Sequence, residues 1–231
     1  MERLAHAEVA FMILPDITEL QRLPAPAPLP QSLAFDGQTL WMGSRETRRM
    51  YAIDPRRWTA RDEGEAPGTP WGLTVAGDEL RAVCGETSDD HRFVRRFIPG
   101  RGWTSRGKFA CPDDTGSYLG FDGERLYVTQ WYRKQIISLD EAGKVGSTIA
   151  VPHQICGCVI VEGRFFLVTT DDENTSDYWV TRVDARGPAP VFTDLVRIGF
   201  AARSLAFDGE RFWTNHRERN EIVAFAAPAD I

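Results

Sequence analysis

The chain has 231 residues, of which 42% are hydrophobic and 26% charged, and a formal net charge of −6. That length can bury a sizeable core, and an acidic balance with no basic tail excludes a general nucleic-acid binder, which needs a concentrated excess of Lys and Arg. Four cysteines are few for a chain of this size; they fit reduced thiols and point to a cytoplasmic protein.

Near the N-terminus, acidic Glu2 and Glu8 precede or flank an apolar stretch, Val9 to Leu14. It is too short to span a membrane and unlike a signal peptide, so it reads as part of the fold and no membrane partner is expected. From Ser32 onward the chain repeats itself. SLAFDGQTLWMGS at Ser32 is followed by GLTVAGDELRAVCG at Gly72, YLGFDGERLYVTQ at Tyr118, CVIVEGRFFLVTT at Cys158 and SLAFDGERFWTNH at Ser204. Each is an apolar strand, a turn and a second strand. The turn glycines Gly37, Gly77, Gly123, Gly163 and Gly209 are spaced 40, 46, 40 and 46 residues apart, the period of a four-stranded propeller blade. Third strands follow as MYAID, FVRRF, QIISLD, WVTRV and EIVAFA. These segments are rich in β-branched and aromatic residues, and helical periodicity is hard to find.

The spacing predicts one all-β domain over residues 1–231, a five-bladed β-propeller with inner-strand repeats beginning near residues 32, 72, 118, 158 and 204. Residues before Gly37 and after Gly209 leave no room for a sixth blade. The chain stops after the third strand of the last blade, so the segment containing ITELQRL, residues 17–23, is expected to supply the missing outer strand and latch the ring.

Most conspicuous residues are absorbed by this architecture. Trp41, Tyr127 and Trp213, with Phe35, Phe121 and Phe207, recur at matching positions and read as packing between sheets. Asp36, Asp122 and Asp208 precede turn glycines and read as turn residues rather than catalytic acids. Cys156 and Cys158 put two thiols on one strand face, too few for zinc, and read as core or channel-lining groups.

Chemistry is expected where the ring brings different blades together, at one end of its axis. The loops entering the inner strands contribute Gln31, Trp71, Ser117, His153 and Arg203. Those joining second and third strands contribute Arg45, Glu86, Gln130, Trp131, Asp171, Asn215 and His216. The latter loops alternate in sign: SRETRR, WYRKQ and HRERN are basic in the odd blades, whereas GETSDDHR and DDENTSD are acidic, and longer, in the even ones.

Three readings follow. In the first, the axial pocket binds a small polar molecule or peptide, with Gln31, Arg45, Trp71, Ser117, Gln130, Trp131, Arg203 and Asn215 as ligand contacts; Trp71 and Trp131 are its stacking surfaces, and Arg45 and Arg203 its anion partners. In the second, the protein is an enzyme of the cyclotransferase, lyase or lactone-hydrolase kind, using His153 or His216 for proton transfer and Glu86 or Asp171 as acid, base or metal ligand. Glu86, Asp171, Asn215 and either histidine could hold a divalent ion such as calcium. The third is a scaffold for another protein.

WGLTVAGDEL at Trp71 and FDGERLYVTQWYRKQIISLDEAGKV at Phe121 resemble the glutamine cyclotransferase family of five-bladed propellers. The likeness lies in a Trp-Gly-Leu-Thr inner strand, a strand ending near Trp, a polar loop, an Ile-x-x-Leu-Asp strand and Gly-Lys-Val. It covers two adjacent blades, and similar short strings occur in NHL-like and gluconolactonase-like repeats. The resemblance implies a propeller and, by extension, cyclisation of N-terminal glutamine. The chain departs from that family's acidic inner-strand starts, with Trp71-Gly72, Ser117-Tyr118 and Gly157-Cys158 at those positions.

Overall fold

The computed structural model describes residues 14–229 and 231. Five antiparallel four-stranded sheets stand around one axis. Blade 1 is β2 (Pro30–Phe35), β3 (Leu40–Ser44), β4 (Arg49–Asp54) and β5 (Thr59–Glu65). Blade 2 is β6 (Thr69–Ala76), β7 (Glu79–Gly85), β8 (Arg92–Ile98) and β9 (Gly102–Ala110). Blade 3 is β10 (Leu119–Phe121), β11 (Leu126–Gln130), β12 (Gln135–Leu139) and β13 (Val145–Ala150). Blade 4 is β14 (Gln154–Val161), β15 (Arg164–Thr170), β16 (Tyr178–Asp184) and β17 (Val191–Ile198). Blade 5 is β18 (Ala202–Phe207), β19 (Arg211–His216) and β20 (Glu221–Ala226), completed by β1 (Glu19–Pro24).

The N-terminal latch is present. β1 runs antiparallel to β20, with Leu23 opposite Ile222 and Pro24 opposite Glu221. Arg22 binds Glu221 at 2.7 Å and also pairs with Glu19, tying the otherwise exposed strand down. Proline is tolerated there because an outer strand needs ladder donors on one side only. The reading of Val9 to Leu14 as part of the fold falls, apart from Leu14, outside the described residues.

The turn motif explains why FDG recurs. Asp208 Oδ1 accepts from the backbone N–H groups of Glu210 and Arg211, and its Oδ2 accepts from Trp213 Nε1 at 2.8 Å. Asp36 does the same for Gln38, Thr39 and Trp41, and Asp122 for Glu124, Arg125 and the Tyr127 hydroxyl. One carboxylate therefore fixes both the turn and the large aromatic of the next strand. The following glycine has φ of +98° in Gly37, +103° in Gly123 and +95° in Gly209, a region that L side chains rarely adopt.

The core consists of separate apolar layers between neighbouring blades. Trp213 packs with Leu33, Leu40, Met42 and Ile53 across the blade 5 and blade 1 interface. Trp41 packs with Leu73, Leu80 and Phe97 between blades 1 and 2, and Tyr127 against Phe165 between blades 3 and 4. Inner strands meet in ring order, β2 with β6, then β10, β14, β18 and back to β2. Backbones approach closely there: a Cβ on Gly72 would sit 2.4 Å from the Ser117 carbonyl, and one on Gly157 2.6 Å from Ser204 carbon.

Candidate functional site at the polar end of the axis

The inner strands of blades 1, 2, 4 and 5 each carry a register shift near their start, at Pro30/Ser32, Pro70/Gly72, Ile155/Gly157 and Arg203/Ala206. In blade 3 the Ser117 N–H donates to the Thr129 carbonyl while the Tyr118 N–H donates to the Thr129 hydroxyl. A bulge leaves a residue out of the ladder and turns its side chain. Here the bulges lie at one end of the axis.

Gln31, only 1% exposed, is the hub on the blade 1 side. Its amide donates to the Tyr118 hydroxyl at 3.0 Å and toward the Trp71 carbonyl at 3.4 Å, while its oxygen accepts from Arg217 Nη1 at 2.9 Å. Burial pushes the Tyr118 hydroxyl well above its usual range, so it is a neutral phenol at physiological pH. Arg203, 2% exposed, is the hub on the other side. Its Nη1 donates to the Tyr178 hydroxyl at 2.8 Å and to the Ala202 carbonyl, and Nη2 lies 3.7 Å from Glu173. Burial works against its charge, whereas Tyr118, Cys156 and Tyr178 favour it, and the net direction is upward. The guanidinium is therefore charged.

Tryptophans hold these arginines. The Arg203 guanidinium lies 4.9 Å from the centre of the Trp131 ring, and Arg45 5.0 Å and Arg92 4.1 Å from that of Trp71. Trp131 is fixed by its indole N–H on Gln154 Oε1 at 2.8 Å and by its backbone N–H on the Ser117 hydroxyl. Trp71 donates to Asp90, which also binds Arg92. The two rings expected as ligand-stacking surfaces thus carry cations, Arg45 and Arg203 from other blades and Arg92 from the blade of Trp71 itself.

The remaining predicted residues have other surroundings. Gln130 donates to the Pro112 and Thr115 carbonyls and accepts from Gln135, which holds the loop before blade 3. Asn215 is fully buried, and both amide atoms lack a partner among the described residues. Glu86 is bound by Arg95 at 2.5 Å and Lys108 at 2.7 Å on blade 2. Burial pushes its pKa up, but the bonds from Arg95 and Lys108 push harder, and the net shift is down.

His153 and His216 share no contact partner. His153 Nδ1 lies 2.7 Å from Asp171, its Nε2 3.7 Å from Asp194 on the outer strand β17, and its ring beside Trp179. His216 stacks flat on Phe200 at 4.8 Å, near Arg22 of the latch strand. Burial, and then Arg22, lower its pKa, so the ring is neutral at physiological pH. Among the described residues no three His, Cys, Asp or Glu side chains are grouped as metal ligands. The proposed set of Glu86, Asp171, Asn215 and a histidine is not gathered: Glu86 is tied to blade 2, Asp171 to His153, and Asn215 has neither as a partner.

All four cysteines are free and buried. Burial raises the thiol pKa of Cys111, Cys156 and Cys158 to about 12 and that of Cys84 further, so none is a thiolate at neutral pH. No described helix is long and apolar enough to cross a membrane.

Sequence reasoning missed Tyr118, Glu173, Tyr178 and Arg217, and three of these had a readable signal. Arg217 lies in the basic loop HRERN, Glu173 in the acidic loop DDENTSD, and Tyr118 next to Ser117; the bulge decides which of that neighbouring pair turns inward.

No family model matches this chain, and no curated protein does. Solved structures do. A protein of unknown function from Bacteroides thetaiotaomicron aligns over 91% of this chain and 73% of its own, at 12% identity and a TM-score of 0.56. The PQQ-bound aldose sugar dehydrogenase of Streptomyces coelicolor aligns over 91% and 98%, also at 12% identity and 0.56. A streptogramin B lyase aligns over 89% and 96%, at 11% identity and 0.52. At such identities the likeness concerns the fold, a β-propeller that also hosts enzymes, and leaves the function to the residues of the site.

Proposed function

We propose that this propeller binds a small polar molecule or peptide at the polar end of its axis. The observation that carries this reading is a polar cluster drawn from all five blades, buried at Gln31, Tyr118, Tyr178 and Arg203 and half-buried at its other members. Gln31, Trp71, Tyr118, Trp131, Gln154, Tyr178, Arg203 and Arg217 are linked by the bonds and ring contacts described above. Buried polar atoms are normally paired. At this end Arg203 Nε and the Asn215 amide are buried without a partner, a state that a ligand's polar groups would relieve.

The test is a thermal-shift screen of small polar molecules and short peptides, followed by calorimetry on any compound that stabilises the protein. Binding should weaken about tenfold or more in Gln31→Ala, as expected for losing hydrogen bonds in a buried site. A compound that binds Gln31→Ala and the parent protein equally well would remove the support for an axial site.

An enzyme is the second reading, and one contact favours it. Asp171 beside Nδ1 orients the His153 imidazole, the arrangement of a general base held by a carboxylate. Turnover of glutamine-terminated peptides and of lactones is the corresponding assay. His153→Ala should lower any turnover found by about 100-fold; unchanged turnover would release His153 from the role.

A further inference from the structure

We infer that the ligand of the axial end is an oxyanion, a carboxylate or phosphate group received between Arg217 and Arg45 with Arg203 behind them. The inference rests on the axial-binding reading and gives its ligand a charge.

Charge balance carries the argument. Arg203, Arg217 and Arg45 belong to one neighbourhood: Arg217 bonds Gln31, Gln31 bonds Tyr118 and contacts the Trp71 carbonyl, and Arg45 lies over the Trp71 ring. Among the described residues no carboxylate lies within 4.0 Å of a nitrogen of Arg45 or Arg217, and Arg203 has only Glu173, at 3.7 Å. The groups that hold them are neutral: an amide, phenols, carbonyls and indole faces. Burial lowers the pKa of Arg217 first and the positive charge of Arg203 next, with Arg45 adding to the repulsion; the pull of neighbouring Glu218 is smaller than these.

A folded chain ordinarily pairs a charge that it buries, because an uncompensated one is costly. Four acids of the even-blade loops are engaged elsewhere. Glu86 is taken by Arg95 and Lys108, Asp90 by Trp71 and Arg92, Asp171 by His153, and Asp177 by Arg197. Half-buried Arg217 lacks a counter-charge, exposed Arg45 adds positive charge beside it, and buried Arg203 keeps an N–H without an acceptor. Arginine donors in a fixed planar fork match the paired oxygens of a carboxylate or phosphate. Indole faces keep those planes oriented without neutralising them.

The experiment titrates the full chain with sodium benzoate and, separately, with inorganic phosphate, against sodium chloride at the same ionic strength. Melting temperature and calorimetry are the readouts. One or both oxyanions should raise the melting temperature beyond the chloride control, and the arm that responds identifies carboxylate or phosphate. Arg217→Gln and Arg45→Gln should each weaken that response about tenfold or more. An equal response to chloride would mean simple screening and overturn the inference, as would full oxyanion binding in both variants. Because Arg45 is exposed, its variant keeps the test valid should Arg217→Gln fold poorly. If neutral compounds bind in a Gln31-dependent way while neither oxyanion does, the axial site stands and its anionic character falls; if nothing binds, both fall.

Discussion

The same inner strands build two opposite ends of the ring axis. At one end they finish on the repeated turn residues, and Phe35, Phe121 and Phe207 join Val75, Val161 and Cys158 around a cavity of about 330 Å³. At the other end, near their bulges, they carry Gln31, Trp71, Ser117, Cys156 and Arg203, a different residue in each blade. The first end is shaped by a requirement that each odd blade must meet in the same way, an aspartate that fixes a turn and an aromatic. The second has no such shared requirement, so its residues are free to differ and to assemble one asymmetric polar cluster. Repetition marks the scaffold, and its breakdown marks the site.

The largest expected effect tests what both ends depend on, the closure of the ring. Deleting Met1 to Leu23 removes most of β1 and exposes the edge of β20. Both ends should then lose order in a single transition at a much lower temperature, followed by circular dichroism and tryptophan fluorescence. A melting temperature equal to that of the full chain would show that the latch contributes nothing.

Next comes the repeated end. Trp213 is fully buried between blades 5 and 1, stacks on Trp58 at 6.0 Å and donates to Asp208. Trp213→Ala should cost about 3–5 kcal/mol in urea denaturation, the range for deleting a large core aromatic. The folded fraction should bind axial ligands as before. Lost affinity without lost stability would contradict the division between the two ends.

Asp208 gives a smaller effect with a definite sign. Burial raises its pKa, while bonds from Arg211, the backbone and Trp213 lower it more, so its folded value is below the ordinary one. Its stabilising contribution is therefore present above the unfolded pKa of about 3.9 and is lost as pH falls through the folded value. Asp208→Asn, which turns an amide N–H toward Trp213 Nε1, should cost about 1–3 kcal/mol at pH 7. It should also flatten the fall in stability below about pH 4. An unchanged acid limb in thermal melts would assign the pH dependence to other carboxylates.

How much could be read beforehand follows the same division. The spacing of Gly37, Gly77, Gly123, Gly163 and Gly209 sufficed for the blade count and strand order, and the residues left outside that period for the closing strand. Gln31, Trp71 and Arg203 were reached by repeat register, because their bulges lie at comparable places. Glu86 and His216 were assigned to the same end by the same register, yet each side chain is directed by neighbours remote in sequence, Lys108 for one and Phe200 with Arg22 for the other. Strand position is a local property; the direction and partner of a long side chain at a strand end are tertiary ones. For that reason Trp71, Trp131, Arg45 and Arg203 were all found, while the stacking of the arginines on the tryptophan rings was not.

The smallest effect probes how finely the polar end is balanced. Glu173 is contested: the exposed Tyr132 donates to its Oε1 at 2.8 Å, while its Oε2 stays 3.7 Å from Arg203, beyond hydrogen-bonding distance. Tyr132 thus holds back the one acid placed to neutralise Arg203. Tyr132→Phe keeps the ring that stacks on Trp131 and removes only the hydroxyl, so stability should change by no more than about 0.5 kcal/mol, as for an exposed substitution. The freed carboxylate can then close on the guanidinium, making the axial end less positive. Oxyanion affinity should fall by about threefold, and Glu173→Gln should raise it by a similar factor, each corresponding to about 0.7 kcal/mol. If calorimetry finds the two variants shifting affinity in the same direction, Glu173 acts through the shape of its loop and not as a competing charge.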